Sequence, residues 1–239
     1  MSRSSASIPE SQTFIDEPQA AGCDAVAVNC DVSRSISLGQ ALSEWQETMP
    51  PIRGVIQAAM NLQDSVLEQM SFTQWSNSIA AKAHATRNLH EFFGDRLDFF
   101  TMLSSIVGVV GNASQSNYGA GGSYQDALAR PRAAQGLPGV ALDLGMVQSV
   151  GWLADNETAR ERLLRQGYRP LEEEEVLQLV ESAIRDPVRS PRTSQVMTGI
   201  ADFTPEAATS GWRQDSRFGG LQVRAGALGE PMAVLPVDQ

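Results

Sequence analysis

At 239 residues, 42% of them hydrophobic, the chain has enough apolar material for the core of one large domain or two small ones. A formal net charge of −10 argues against a nucleic-acid backbone as partner, because that binding needs a basic face. The opening MSRSSASIPES has no apolar signal segment and no later run reaches the roughly 20 apolar residues that span a bilayer, so no membrane partner and a cytoplasmic location are expected.

In chain order, the apolar runs at 24–32 (DAVAVNCDV), 52–60 (IRGVIQAAM), 97–108 (LDFFTMLSSIVG), 137–145 (LPGVALDLG) and 194–200 (SQVMTGI) are short, rich in Val, Ile, Leu or Phe, and bounded by turn residues. They predict buried parallel strands. Between them, 37–49, 71–93, 115–135 and 171–186 carry apolar residues at helical spacing. The alternation predicts an α/β fold, a doubly wound parallel sheet built from βαβ units. Glu172 to Glu175 reads as a solvated first helical turn, where carboxylates suit the helix dipole. After Asp202 the rhythm stops, which predicts one domain over 1–202 and a linker or C-terminal extension over 203–239. Cys23 and Cys30, without a CxxC, read as reduced thiols, and His84 and His90 share no helical face, so no metal site is expected.

In an open α/β sheet ligands bind at the carboxyl ends of strands. Ser104 and Ser105 end the 97–108 run, and Tyr118 follows thirteen residues after Ser105 at the mouth of the next helix. Strand-end hydroxyls can therefore face a helix-start phenol. The same helix opens on Gly119, Gly121 and Gly122 and later contains Pro131, all residues that weaken helices. Those glycines read as relaxed constraint, and not as a phosphate loop, because they follow a tyrosine inside a helix and no strand leads directly into them.

The segments MPPIRGVIQAAMNLQD, KAHATRNLHEFF, LDFFTMLSSIVGVVGNASQSNYGAGGSYQDALA and GLPGVALDLGMVQSVG, in that order, resemble the ketoreductase domain of polyketide synthases, a branch of the short-chain dehydrogenase/reductase family, and the fungal highly reducing type most closely. The resemblance runs from about residue 1 to about residue 202 and implies a Rossmann-like fold. It also implies NADPH-dependent reduction of a β-ketoacyl chain on acyl carrier protein, with other synthase domains as partners. Tyr118 matches the family's general acid, Ser105 the serine that bonds the same carbonyl oxygen, and Lys82 the lysine whose charge would favour the tyrosinate. Gln115 and Asp64 match pocket positions, Asp31 with Val32 the position at the adenine, and Arg3 the basic residue near the 2′-phosphate. Without the resemblance, Lys82 would read as a solvated helix lysine, Asp31 as a turn cap and Arg3 as part of a loose terminus.

Two departures bear on activity. The family pattern Tyr-x-x-x-Asn ends here in Gly122, and the sequence holds no G-x-G-x-x-G. The expectation is a Rossmann-like sheet lacking its first two strands and glycine-rich turn, with NADP(H) binding weakened and with 52–60 at an open edge. The rival expectation is a catalytically inactive ketoreductase-like interaction module or synthase fragment.

Overall fold

In the computed structural model, residues 1–3, 9–45, 49–148, 158, 161, 164, 165, 167–201 and 211–221 are described. The chain order is α1 (Pro9–Ala20), α2 (Ser35–Trp45), β1 (Gly54–Gln57), α3 (Phe72–Ile79), a π turn (Ala80–His84), α4 (Ala85–Phe93), β2 (Phe99–Ser105), α5 (Val107–Val110), α6 (Ser116–Ala134), β3 (Val140–Leu144), α7 (Glu173–Arg185) and β4 (Gln195–Met197). The four strands form one sheet in the order β1-β2-β3-β4. All pairs are parallel, with Ile56 opposite Thr101, Ser104 opposite Asp143, and Leu142 opposite Val196. Parallel neighbours need crossovers, and the expected helices supply them.

Alternation along the strands produces two cores. Phe100, Met102 and Ala141 face one way and join Leu38, Leu42, Leu89, Phe93 and Ala129 from α2, α4 and α6. Val140 and Leu142 face the other way and pack with Ala183, Leu179 and Val180 of α7. Helices on both faces make the sheet doubly wound, as the sequence predicts.

Local chemistry sets the helix ends. Ser71 caps α3 by accepting from the Gln74 backbone N–H, and the Gln74 side chain returns the bond to the Ser71 N–H. Glu172 and Glu175 form the same reciprocal box on α7, where Glu175 also pairs with Arg169 at 2.9 Å. That agrees with an exposed acidic first turn. Pro131 lies in the last turn of α6, so the hydrogen bond that its missing N–H forfeits is lost only near the end of the helix.

One expected strand is corrected. Residues 24–32 form no strand; among the described residues Ser2 bridges Asn29, through Cys30 N–H to Ser2 O (2.9 Å) and Ser2 N–H to Val28 O (3.1 Å). A strand exists only where a neighbour supplies a ladder, and among the described residues this segment meets a single isolated bridge. Among the described residues β1 pairs only with β2 and forms the open edge that was expected. Between residues 49–53, which lead into β1, and the segment 24–28 lies a groove of about 770 Å³, walled by Val26, Val28, Leu42, Ile52 and Phe93 among others.

Of the extension expected from residue 203, residues 211–221 are described. Trp212 stacks on Tyr168 at 5.8 Å and meets Phe218 edge-on at 5.6 Å. The buried Arg213 donates to the carbonyls of Gly167 and Ala201 (2.6 and 2.8 Å). The boundary at residue 202 and residues 222–239 lie outside the described residues. No helix among the described residues is long and apolar enough to cross a membrane.

Candidate active site

Three elements meet at the carboxyl end of β2. The strand ends on Ser105, α6 brings Tyr118 in its first turn, and the π turn between α3 and α4 brings Lys82. π turns displace one residue from the helical rhythm and recur at functional sites. This one is braced by Gln57, the last residue of β1, whose side chain donates to the Ala81 carbonyl at 2.9 Å. Lys82 points inward and is 2% exposed. Its ammonium donates to the Leu103 carbonyl (2.8 Å) and to Gln125 Oε1 (3.3 Å), and lies 5.0 Å from the centroid of the Tyr118 ring.

The glycines of α6 make this approach possible. A Cβ on Gly121 would stand 2.9 Å from Lys82 Cβ, and one on Gly119 would stand 3.2 Å from the Val107 carbonyl oxygen. Both residues are buried. The reading of these glycines as relaxed constraint is therefore corrected: they are contact glycines that let the helix touch the lysine turn and α5. At Gly122, where the family pattern has Asn, a Cβ would meet Ser104 Oγ at 3.2 Å, so a side chain there fits only if Ser104 gives way.

Tyr118 holds its proton. Burial is the main force raising its pKa above the ordinary phenol range; a hydrogen bond with Ser105 acts in the opposite direction, and the Asp64 charge adds to the rise. The expected drift towards tyrosinate is thus outweighed by burial. A protonated phenol beside a strand-end hydroxyl is an arrangement that can donate to a carbonyl oxygen. Lys82 is lowered to about 8 by burial, with Asp126 and then Asp143 opposing the fall.

Gln115 and Asp64 sit together at the start of α6, with Gln115 Nε2 donating to Asp64 Oδ2 at 3.0 Å. Asn112 Nδ2 in turn donates to Gln115 Oε1 at 2.8 Å. Asn117, fully buried, ties this rim together. It donates to the Gln63 and Gln74 carbonyls (3.0 and 3.3 Å) and accepts from the Tyr118 N–H (2.8 Å). The sequence reading missed Asn117; its signal was a short amide at a helix start, a residue type that seeks backbone partners.

Arg3, Asp31 and Val32 form a separate group around the Ser2–Asn29 bridge. Asp31 Oδ1 accepts from Ser33 N–H (3.1 Å) and Ser33 Oγ (2.6 Å), as a turn cap does. The Val32 carbonyl accepts from Asn88 of α4 at 2.9 Å, and Arg3 is exposed. A dinucleotide pyrophosphate needs a glycine turn leading from a strand to a helix N-terminus. The carboxyl end of β1 opens instead into residues 58–70, which contain no glycine, and the next helix, α3, starts at Phe72. The described residues do not fit that part of NADP(H). Among the described residues, no group of three or more His, Cys, Asp or Glu could hold a metal ion.

Behind the site lies a polar cluster in which Ser104, expected only as a strand-end hydroxyl, meets Asp126 and Asp143, which the sequence did not single out. Ser104 Oγ donates to Asp126 Oδ1 (3.0 Å) and lies 3.3 Å from the Gly122 carbonyl. Gln195 Nε2 donates to Asp143 Oδ2 at 2.8 Å. Asp126 and Asp143, 6% and 0% exposed, face each other.

Residues 1–149 match the model of the KR domain family. The chain is 46% identical over 227 residues to the squalestatin tetraketide synthase of Phoma sp. (strain C2932), a match that takes in 94% of this chain and 9% of that one. It is 45% identical over 224 residues to the highly reducing polyketide synthase poxF of Penicillium oxalicum, covering 93% of this chain and 9% of that protein. Among solved structures, PlmKR1, a ketoreductase from the first module of phoslactomycin biosynthesis in Streptomyces sp. HK803, superposes with a TM-score of 0.79 at 27% identity, over 94% of this chain and 51% of that one.

Proposed function

Because the chain belongs to the KR domain family, we propose that it carries the proton-delivering half of a site that reduces a β-ketoacyl thioester, presented on acyl carrier protein, to the β-hydroxyacyl product. The reading places it in the cytoplasm beside the other domains of a polyketide synthase. The observation that supports it most directly is the Tyr118 phenol beside Ser105 at the end of β2, its ring centroid 5.0 Å from the Lys82 ammonium. Tyr118 donates its proton to the substrate carbonyl oxygen while Ser105 hydrogen-bonds the same oxygen. The Lys82 ammonium then faces a newly formed tyrosinate and stabilises it. Gln115 and Asp64 border the pocket, and Arg3, Asp31 and Val32 would meet the outer, adenine end of a cofactor. NADPH supplies hydride in such reductases; the described residues do not receive its pyrophosphate, and only weak binding to this chain is proposed.

The test incubates the chain with NADPH and a carrier-bound β-ketoacyl thioester and measures the β-hydroxyacyl product by mass spectrometry, with cofactor binding measured by calorimetry. Product that disappears with Tyr118→Phe supports the reading; product indifferent to that change overturns it. A second reading, a ketoreductase-like interaction module without activity, is favoured by the lack of a pyrophosphate turn at β1. It becomes the better one if the chain binds no NADPH and makes no product.

A further inference from the structure

The chain contains a single lysine against seventeen arginines, and that lysine is almost completely buried. Both hydrogen bonds from its ammonium go to neutral acceptors, Leu103 O and Gln125 Oε1. A buried cation held only by neutral groups loses more hydration than it regains and sheds its proton unless a negative charge stands near. The charged groups acting on it come from two other elements, Asp126 on α6 and Asp143 on β3.

Those two carboxyl groups are themselves a problem of proton number. Asp143 Oδ2 accepts from Gln195, but Oδ1 is buried with no donor among the described residues. Ser104 and Asp126 both lie within hydrogen-bonding reach of Asp143, but the Ser104 hydroxyl is already donated to Asp126 Oδ1, which leaves Asp126, once protonated, to supply the donor. Asp126 in turn touches Ser104, the register partner of Asp143. Its other charged neighbour is Arg130, one turn along α6, whose guanidinium donates to Gln195 Oε1 at 2.7 Å. Two buried carboxylates in contact cannot both ionise at neutral pH; one proton stays between them.

We infer that Asp126 and Asp143 hold one proton between them and together carry a single negative charge, which is the buried counter-ion that keeps Lys82 an ammonium beneath Tyr118. Asp126 is the donor and Asp143 bears the charge, so Asp143 Oδ1 is satisfied by the Asp126 hydroxyl. Both are positioning residues: they touch neither substrate nor phenol and act through the lysine. Burial of the acid pair is the larger force raising Asp126, and the Asp143 charge adds to it. On the substrate side Tyr118 faces Lys82, and Asp64 faces Tyr118. The inference relies on the reductase reading only for its consequence at Tyr118; the charge on Lys82 is a property of the folded chain alone.

A single lysine allows a direct test. Protein labelled with [ε-13C]lysine has one side-chain signal to follow from pH 6 to pH 11, with a wild-type midpoint expected near 8. Asp126→Asn or Asp143→Asn leaves one ionised carboxylate in the pair, so either single variant is expected to leave the midpoint near its wild-type position. The double variant removes the charge and is expected to lower the midpoint by about one to three pH units, the span an adjacent opposite charge commands. A midpoint unmoved in the folded double variant, or lowered as far by one substitution as by two, overturns the inference. If the double variant does not fold, infrared difference spectra of the single variants decide. The band of a protonated carboxylic acid must be present in wild type at pH 7 and absent from each single variant; its absence from wild type overturns the inference. Neither measurement needs cofactor or substrate, so an inactive chain whose Lys82 responds as stated would sink the reductase reading and leave this one standing.

Discussion

β1 meets two different surroundings. At its carboxyl end Gln57 is 3% exposed and braces the π turn that carries Lys82, whereas Ile56 within the strand is 45% exposed and Ile52, just before it, is 40% exposed and lines an apolar groove. One region spends polar residues in a nearly closed hydrogen-bond network; the other, among the described residues, leaves apolar side chains and backbone groups without a strand to meet them. The difference teaches that this sheet is organised around its site end, where side chains from β1, α4, α6 and the π turn satisfy one another, and that its open edge is the less satisfied region.

The largest expected effect attacks the ordered end. Tyr118→Phe removes the phenol and should lower β-ketoacyl reduction by about 10²- to 10⁴-fold, with the melting transition kept, as read by product formation and circular dichroism. Next comes packing. Gly121→Val places branched carbons where a Cβ already stands 2.9 Å from Lys82 Cβ, and overpacking of that kind costs about 1 to 3 kcal/mol. Urea unfolding should show the loss, and a variant as stable as wild type would remove the contact-glycine account of α6.

The pH dependence separates the same network from the rest of the molecule. Asp126, raised to about 8, binds its proton more tightly in the folded than in the unfolded chain. Its contribution to stability is full below the ordinary carboxyl pKa of about 3.9 and is lost as pH rises through 8. Lys82, lowered to about 8 from 10.5, makes the opposite contribution: its penalty is complete below 8 and is relieved as pH climbs towards 10.5. These two groups together should give a minimum in stability near pH 8, and Asp126→Asn should flatten the limb below it. Urea midpoints at pH 6, 8 and 10 check both limbs.

Smaller effects belong to the edge and the surface. Ile56→Lys puts a charge on the open side of β1 and should reduce concentration-dependent association in sedimentation velocity, since a charged edge resists strand pairing. Self-association unchanged by this substitution would show that the edge is not the sticky surface. Smallest of all, Asp98→Asn breaks the exposed Arg53–Asp98 pair and should leave the urea midpoint within experimental scatter.

Much of the site was legible because motif residues keep their places at strand and helix ends. Tyr118, Ser105 and Lys82 converge as the resemblance implies, and Gln115 joins Asp64 at the rim. Asn117, Asp126 and Asp143 were not legible, and Ser104 was legible only as a strand-end hydroxyl, because their work depends on partners 18 to 54 residues away that no local pattern announces. The three α6 glycines were misread for the same reason: a contact glycine and a tolerated glycine look alike until the opposing surface is present.

The sequence by itself determined the alternation of strand and helix, the helix caps at Ser71 and Glu172, and the hydroxyl and phenol at successive element ends, since these rest on period, propensity and neighbours within four residues. Tertiary structure alone decided that 24–32 forms no ladder, that Lys82 enters the core on a π turn, and that two aspartates lie face to face. Each of those outcomes depends on which groups from distant parts of the chain share the same dry volume, and burial, not sequence spacing, sets their hydrogen bonds and their charge.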